Sequence, residues 1–138
     1  MALSTSGGGY QVGDGNLTEP LIDALPDPIS VTTAATLTPA QVLNGLILAN
    51  SGITAASVTY TLPTVTDLEA VLTNSDKVGT AFTFRVVNLG TSSATAIIAA
   101  GTGWTVSGSL TMTIPVTTGA TMIARKSAAG AWTLYRVA

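Results

Sequence analysis

Apolar residues in this chain come in short bursts, and that limits it to a fold built from short elements. The longest apolar stretch, residues 43–49, is already interrupted by Asn44 and Gly45. A helix that crosses a bilayer needs about 20 consecutive apolar residues, so the mean hydropathy of +0.51 does not signal a helical membrane protein. The hydropathy is spread instead over short runs rich in Thr and Val, punctuated by Gly, Pro, Ser and Asn. Phe82, Phe84 and Val86 alternate with Thr83, Arg85 and Val87, and Leu110, Met112 and Ile114 alternate with Thr111 and Thr113. A period of two is the pattern of a half-buried strand.

Read this way, the strands fall at residues 29–33, 46–49, 57–62, 81–88, 94–99, 104–106, 109–114, 121–125 and 131–137. Ser107-Gly108 is placed as a tight hairpin between two of them. Closely spaced short strands predict an all-β domain, an antiparallel β-sandwich or jelly-roll-like fold over residues 29–138, with one or two short helices at its edge. Phe82, Phe84, Leu110, Met112, Ile114 and Leu134 are the expected core. No repeat of solenoid type is evident in the sequence.

Two helices announce themselves by their caps. Thr38-Pro39-Ala40-Gln41 has the spacing of a capping box, with Pro at the first helical position and Leu37 and Val42 as the staple across it. Gly45 is the natural stop. In Thr66-Asp67-Leu68-Glu69 the same spacing predicts Thr66 as cap and Glu69 as its reciprocal partner. Leu68, Val71 and Leu72 then share one face. On this reading Asp67 and Glu69 complement a helix N-terminus; two apart on a helix, they do not converge as a catalytic pair.

Residues 1–28 differ in composition. They contain Gly7-Gly8-Gly9, Gly13, Gly15, Pro20, Pro26 and Pro28, with the acids Asp14, Glu19, Asp23 and Asp27 and no base. Gly and Pro at this density break regular elements. The expectation is an extended N-terminal arm whose partner-binding anchors are Tyr10, Leu17, Leu21, Ile22 and Leu25, with Asp14, Asp23 and Asp27 facing basic groups of the partner.

The chemistry available is sparse. There is no His and no Cys, and only 9% of residues are charged, where about 25% is usual. General acid–base catalysis and metal binding draw mostly on His, Cys or clustered carboxylates, so neither an enzyme nor a cofactor or metal site is expected. The net charge of −2 offers no basic patch for nucleic acid. The glycines near the N-terminus lack the Lys of a phosphate loop, and Asp14-Gly15-Asn16 lacks the further ligands of a calcium loop. Asn16-Leu17-Thr18 matches a glycosylation acceptor, yet no secretory signal precedes it. Trp104, Trp132, Tyr60 and Tyr135 could line a sugar platform, but buried packing with a polar tip is the ordinary role of such residues.

From Tyr60-Thr-Leu-Pro63, through Val78-Gly79, Phe82-Thr-Phe84-Arg-Val-Val-Asn88 and Gly101-Thr-Gly103-Trp104, to Trp132-Thr-Leu-Tyr-Arg136, the order of strands and turns resembles small β-rich virion proteins of tailed bacteriophages, especially head decoration (cement) proteins. The resemblance spans roughly residues 30–138. It implies a homo-oligomer, often a trimer, that is made in the host cytoplasm and sits on the outer capsid surface. There it would bridge major capsid protein subunits, with a terminal arm clasping neighbours. A tail-fibre or tail-tip module that binds a receptor or glycan is the alternative.

Overall fold

The computed structural model describes residues 24–107 and 112–138. Among them the fold is mostly β, in two sheets. The six-stranded sheet has the order β1 (Ile29–Val31), β3 (Leu46–Ala49), β5 (Ala81–Asn88), β9 (Gly119–Ala128), β10 (Ala131–Arg136), β7 (Trp104–Ser107). The four-stranded sheet has the order β2 (Ala35–Thr36), β4 (Val58–Thr61), β6 (Ala96–Ala99), β8 (Thr113–Ile114). Helices α1 (Pro39–Leu43) and α2 (Val65–Val71) lie in two of the connections.

The pairing departs from the antiparallel expectation. Of the eight pairings among the described residues, five are parallel: β1–β3, β3–β5, β2–β4, β4–β6 and β7–β10. Parallel neighbours cannot be joined by a hairpin, so the chain must leave the sheet between them. Here it leaves for the other sheet. β1, β3 and β5 alternate in sequence with β2, β4 and β6, and α1 and α2 return the chain to its starting side. The first six strands therefore wind as a parallel coil of three turns, a structural repeat that the sequence reading did not anticipate. Its turns differ in length and share few identities, which hides the period. The antiparallel strands β9 and β8 then close the last turn against β5 and β6.

Among the described residues, the strands on either side of Ser107-Gly108 do not pair with each other, as the expected hairpin requires. β7 pairs in parallel with β10, Trp104 opposite Trp132, whereas β8 pairs with β6 in the other sheet. Aromatic packing supports the β7–β10 pairing: the two indoles meet at a tilt of 46° with centroids 6.0 Å apart, and Trp104 Nε1 donates to the Pro63 carbonyl at 2.8 Å. Gly108 and Leu110 lie outside the described residues.

Both sheets contribute to one core, which includes Ile47, Phe84, Val86, Met122, Trp132 and Leu134 from the larger sheet and Tyr60, Ile98 and Ile114 from the smaller. Of the expected core, Phe84, Ile114 and Leu134 are fully buried, and Phe82 and Met112 pack against its margin. Strand β2, two exposed residues long, escaped the sequence reading.

Helix α1 is built as its cap implies. Gln41 N–H donates to Thr38 Oγ1 at 3.2 Å, and Thr38 N–H donates to Gln41 Oε1 at 2.8 Å. Helix α2 starts two residues earlier than expected. Its cap is Thr64, whose Oγ1 accepts from Asp67 N–H at 3.1 Å and donates to the Asp67 carboxylate at 2.7 Å. That phase keeps Leu68 buried, leaves Val71 56% exposed, and frees Glu69 for another role.

Urea unfolding tests these assignments. Phe84→Ala should cost about 3–5 kcal/mol, as for an aromatic removed from a packed core. Thr64→Ala should cost about 1 kcal/mol for the lost cap, and Thr66→Ala should fall within the ±0.5 kcal/mol usual of surface changes.

Candidate functional site

For a chain so poor in reactive groups, the informative surface is the place where the N-terminal segment meets the β domain. Of the expected anchors, Leu25 and Asp27 lie within the described residues; Tyr10, Asp14, Leu17, Leu21, Ile22 and Asp23 lie outside them. Leu25 is 57% exposed and runs over the turn between α1 and β3. Gly45 makes room for it: φ there is +92°, and a Cβ at that position would stand 3.2 Å from Leu25 Cδ1. Asn44 Nδ2 donates to the Asp27 carbonyl at 3.0 Å. At Asp27 it is thus the backbone that is held, while the side chain stays exposed.

This seat lies at the open end of the coil. Among the described residues, β1 and β2 each have a neighbouring strand on one side only. Such edges are templates for another strand unless something covers them. Both are short, three and two residues, which limits this exposure.

A second polar cluster sits beneath α2. Lys126, on β9, is buried, and its Nζ donates to Glu69 Oε1 and to the Ser75 carbonyl, each at 2.8 Å. The same carboxylate oxygen accepts from Trp132 Nε1 at 3.0 Å. The bonds from Lys126 and Trp132 hold the Glu69 carboxyl below its ordinary pKa. Beside the cluster lies an open recess of about 260 Å³, lined by residues of the α2–β5 connection such as Leu72, Asn74, Ser75 and Thr80. Lys126 Nζ and Glu69 Oε1 are both directed at other protein groups, so the cluster acts as a strut from α2 to β9 and β10. Sequence reasoning missed it because Lys126 and Trp132 lie far from Glu69 along the chain. The signal was the mismatch at α2, where two overlapping cap spacings left one carboxylate spare.

The aromatics named as a sugar platform do not form one. Trp132 and Tyr60 are fully buried, and Trp104 is 8% exposed. Tyr60 sends its hydroxyl inward, toward Asn50 Oδ1 at 2.7 Å and the Val31 carbonyl at 3.0 Å.

Among the described residues no helix is long and apolar enough to cross a membrane. Comparison with protein-family models, with curated proteins and with solved structures found no match.

The strut gives a pH-dependent prediction. A carboxyl whose folded pKa is lowered contributes stability that is complete above its unfolded pKa and is lost as pH falls through its folded value. Urea midpoints should therefore drop as the pH goes below about 4.3, the unfolded Glu value. Glu69→Gln, which leaves the Lys126 ammonium without its anion, should cost about 1–3 kcal/mol at pH 7 and should flatten the acid decline. An acid decline as steep as that of the parent would assign it to other carboxylates.

Proposed function

We propose that this chain is a virion structural protein of the decoration (cement) type, which attaches to the outer surface of a bacteriophage capsid and bridges major capsid protein subunits. The observation that carries this reading is the junction just described. A run with apolar anchors and four acids but no base enters the β domain at a sheet edge that is open among the described residues, and its last residues are already seated on the α1–β3 turn.

The domain behind that junction suits a scaffold. Its buried charge and its indoles are committed to internal contacts. We read the two sheets around one core as a sandwich-like body, and the weakly charged, Thr-rich surface as one suited to contact with copies of itself, as a trimer on the lattice. Attachment combines apolar burial by Leu17, Leu21, Ile22 and Leu25 with ion pairing by Asp14, Asp23 and Asp27. Prolines at positions 20, 26 and 28 restrict the unbound segment and so reduce the entropy lost on attachment. The alternative, a tail module that binds a glycan, calls for exposed aromatic rings, and Trp104 and Trp132 do not supply them.

Binding to undecorated particles tests the proposal. Full-length protein should bind, and protein lacking residues 1–28 should bind at least tenfold more weakly while keeping its β circular-dichroism spectrum. Salt should weaken attachment only in part, because exposed ion pairs are screened and apolar contacts are not. Equal binding by both forms would place the interface on the β domain and remove the segment from it.

A further inference from the structure

The two ends of the parallel coil are unlike. One is closed by β9 and β8, and the other, made by β1 and β2, is open among the described residues. The register fixes which backbone groups face outward there. The Val31 carbonyl accepts from Asn50 N–H at 2.9 Å, so Ile29 and Val31 bond toward β3 and Ser30 points its N–H and C=O away from it. Leu37 N–H donates to the Thr61 carbonyl at 2.8 Å, so by the same alternation Thr36 faces outward from β2. At this end each sheet thus presents one outward backbone unit for a further strand.

The chain contains a segment written in the pattern of the existing turns. In the first turn an alternating pair, Ile29 and Val31, is followed by buried Leu37, by the cap Thr38, and four residues later by buried Val42. In the second turn the corresponding residues are Ile47 and Ala49, then Leu62, the cap Thr64, and buried Leu68 four residues on. Residues 10–22 supply Tyr10 and Val12, then Leu17, Thr18 and, four residues on, Ile22. Gly13-Asp14-Gly15 falls at the corner that Thr32-Thr33-Ala34 occupies in the first turn. Pro20 stands just after Thr18, at the start of a helix, where proline is tolerated. It is also the first proline of the chain, so residues 10–17 keep every N–H that a paired strand needs.

The connection fits as well. Seven residues, 39–45, lie between the cap Thr38 and β3, and sixteen, 65–80, between the cap Thr64 and β5; ten, 19–28, lie between Thr18 and Ile29, within that range. The last of those ten already run beside Asn44 and Gly45, at the entry to the second turn.

We propose that residues 10–22 dock on their own chain as one more turn of the coil, pairing with the outer edges of β1 and β2. Tyr10, Val12, Leu17 and Ile22 face the core side; Asp14, Glu19, Leu21 and Asp23 remain on the outer surface. Tethering through ten residues gives the segment an effective concentration in the millimolar range, which favours this chain's own segment over that of a second copy. The docking revises one part of the capsid reading: a docked segment commits Leu17 and Ile22 to its own chain, and the partner then meets Leu21, Leu25 and the acidic side chains on a preformed end face, with less ordering entropy lost on attachment.

Amide hydrogen exchange on the full chain tests the docking. At dilute concentration the Ser30 and Thr36 amides should exchange at least tenfold more slowly than in a full-length variant carrying Leu17→Asp and Ile22→Asp. The Val31 and Leu37 amides, which bond inward, should stay protected in both and report that the domain is folded. Equal exchange at Ser30 and Thr36 would overturn the proposal, and so would protection that rises with protein concentration, since that assigns the seat to a second copy. The natural absence of Cys permits a second measurement. Gln11→Cys with Ser30→Cys should close an intramolecular disulfide under mild oxidation, while Gln11→Cys with Thr59→Cys should not. Cross-linked dimers alone, or equal oxidation of both pairs, would contradict docking in cis. Loss of particle binding while Ser30 stays protected would count against the attachment role and leave the docking intact.

Discussion

The side-chain amide of Asn88 is the joint on which the two-sheet arrangement turns. It is fully buried at the end of β5. Its Nδ2 donates to the carbonyls of Ala94 and Ile114, at 2.9 and 2.8 Å, and its Oδ1 accepts from Gly90 N–H at 2.9 Å. A parallel coil must carry its backbone from one sheet to the other on every turn, and each crossing strands polar groups that no ladder reaches. Leaving such a group buried without a partner costs about 1–3 kcal/mol. Asn88 meets that need at the third crossing with one side chain. It also pins β8, only two residues long, beside the end of β5. Asn50 has a related place one turn earlier, with φ of +59° and its Oδ1 accepting from Tyr60.

The Glu69–Lys126–Trp132 strut does a complementary job on the helical side. The coil and the closing strands are separate stretches of chain, and α2 belongs to the first. Through Glu69 the helix is tied to both β9 and β10, and through the Ser75 carbonyl the loop after it is tied to Lys126 as well. The strut and the Asn88 joint thus hold the same two portions of the chain together from different sides.

What the sequence disclosed and what it withheld divide along the line between local and distant interactions. Thr38-x-x-Gln41, the stop at Gly45 and the alternation through Phe82, Phe84 and Val86 are settled by neighbours within a turn or a pleat, and they were legible. The phase of α2 was not, because Thr64-x-x-Asp67 and Thr66-x-x-Glu69 satisfy the same spacing. The choice is made by Lys126 and Trp132, which pull Glu69 into the strut. Strand direction was hidden for a similar reason: alternation at β3 or β5 reads the same beside a parallel or an antiparallel neighbour. Of the candidate interface, Leu25 and Asp27 were named in advance, but the contact with Gly45 and the bond to Asn44 depend on the turn of α1 into β3.

Closure of the coil by β9 has a consequence for how the protein is made. Synthesis runs from the N-terminus, so all three parallel turns leave the ribosome before β9 exists. Until residues 119–128 emerge, β5 has no neighbour on its second side, and Phe84 and Val86 lack their cross-strand partners Met122 and Ala120. A nascent chain at that stage presents the open side of β5 in addition to the edges of β1 and β2. The ordered state is therefore reached late and all at once, and a chain truncated shortly before that point is the form most exposed to pairing with another of its kind.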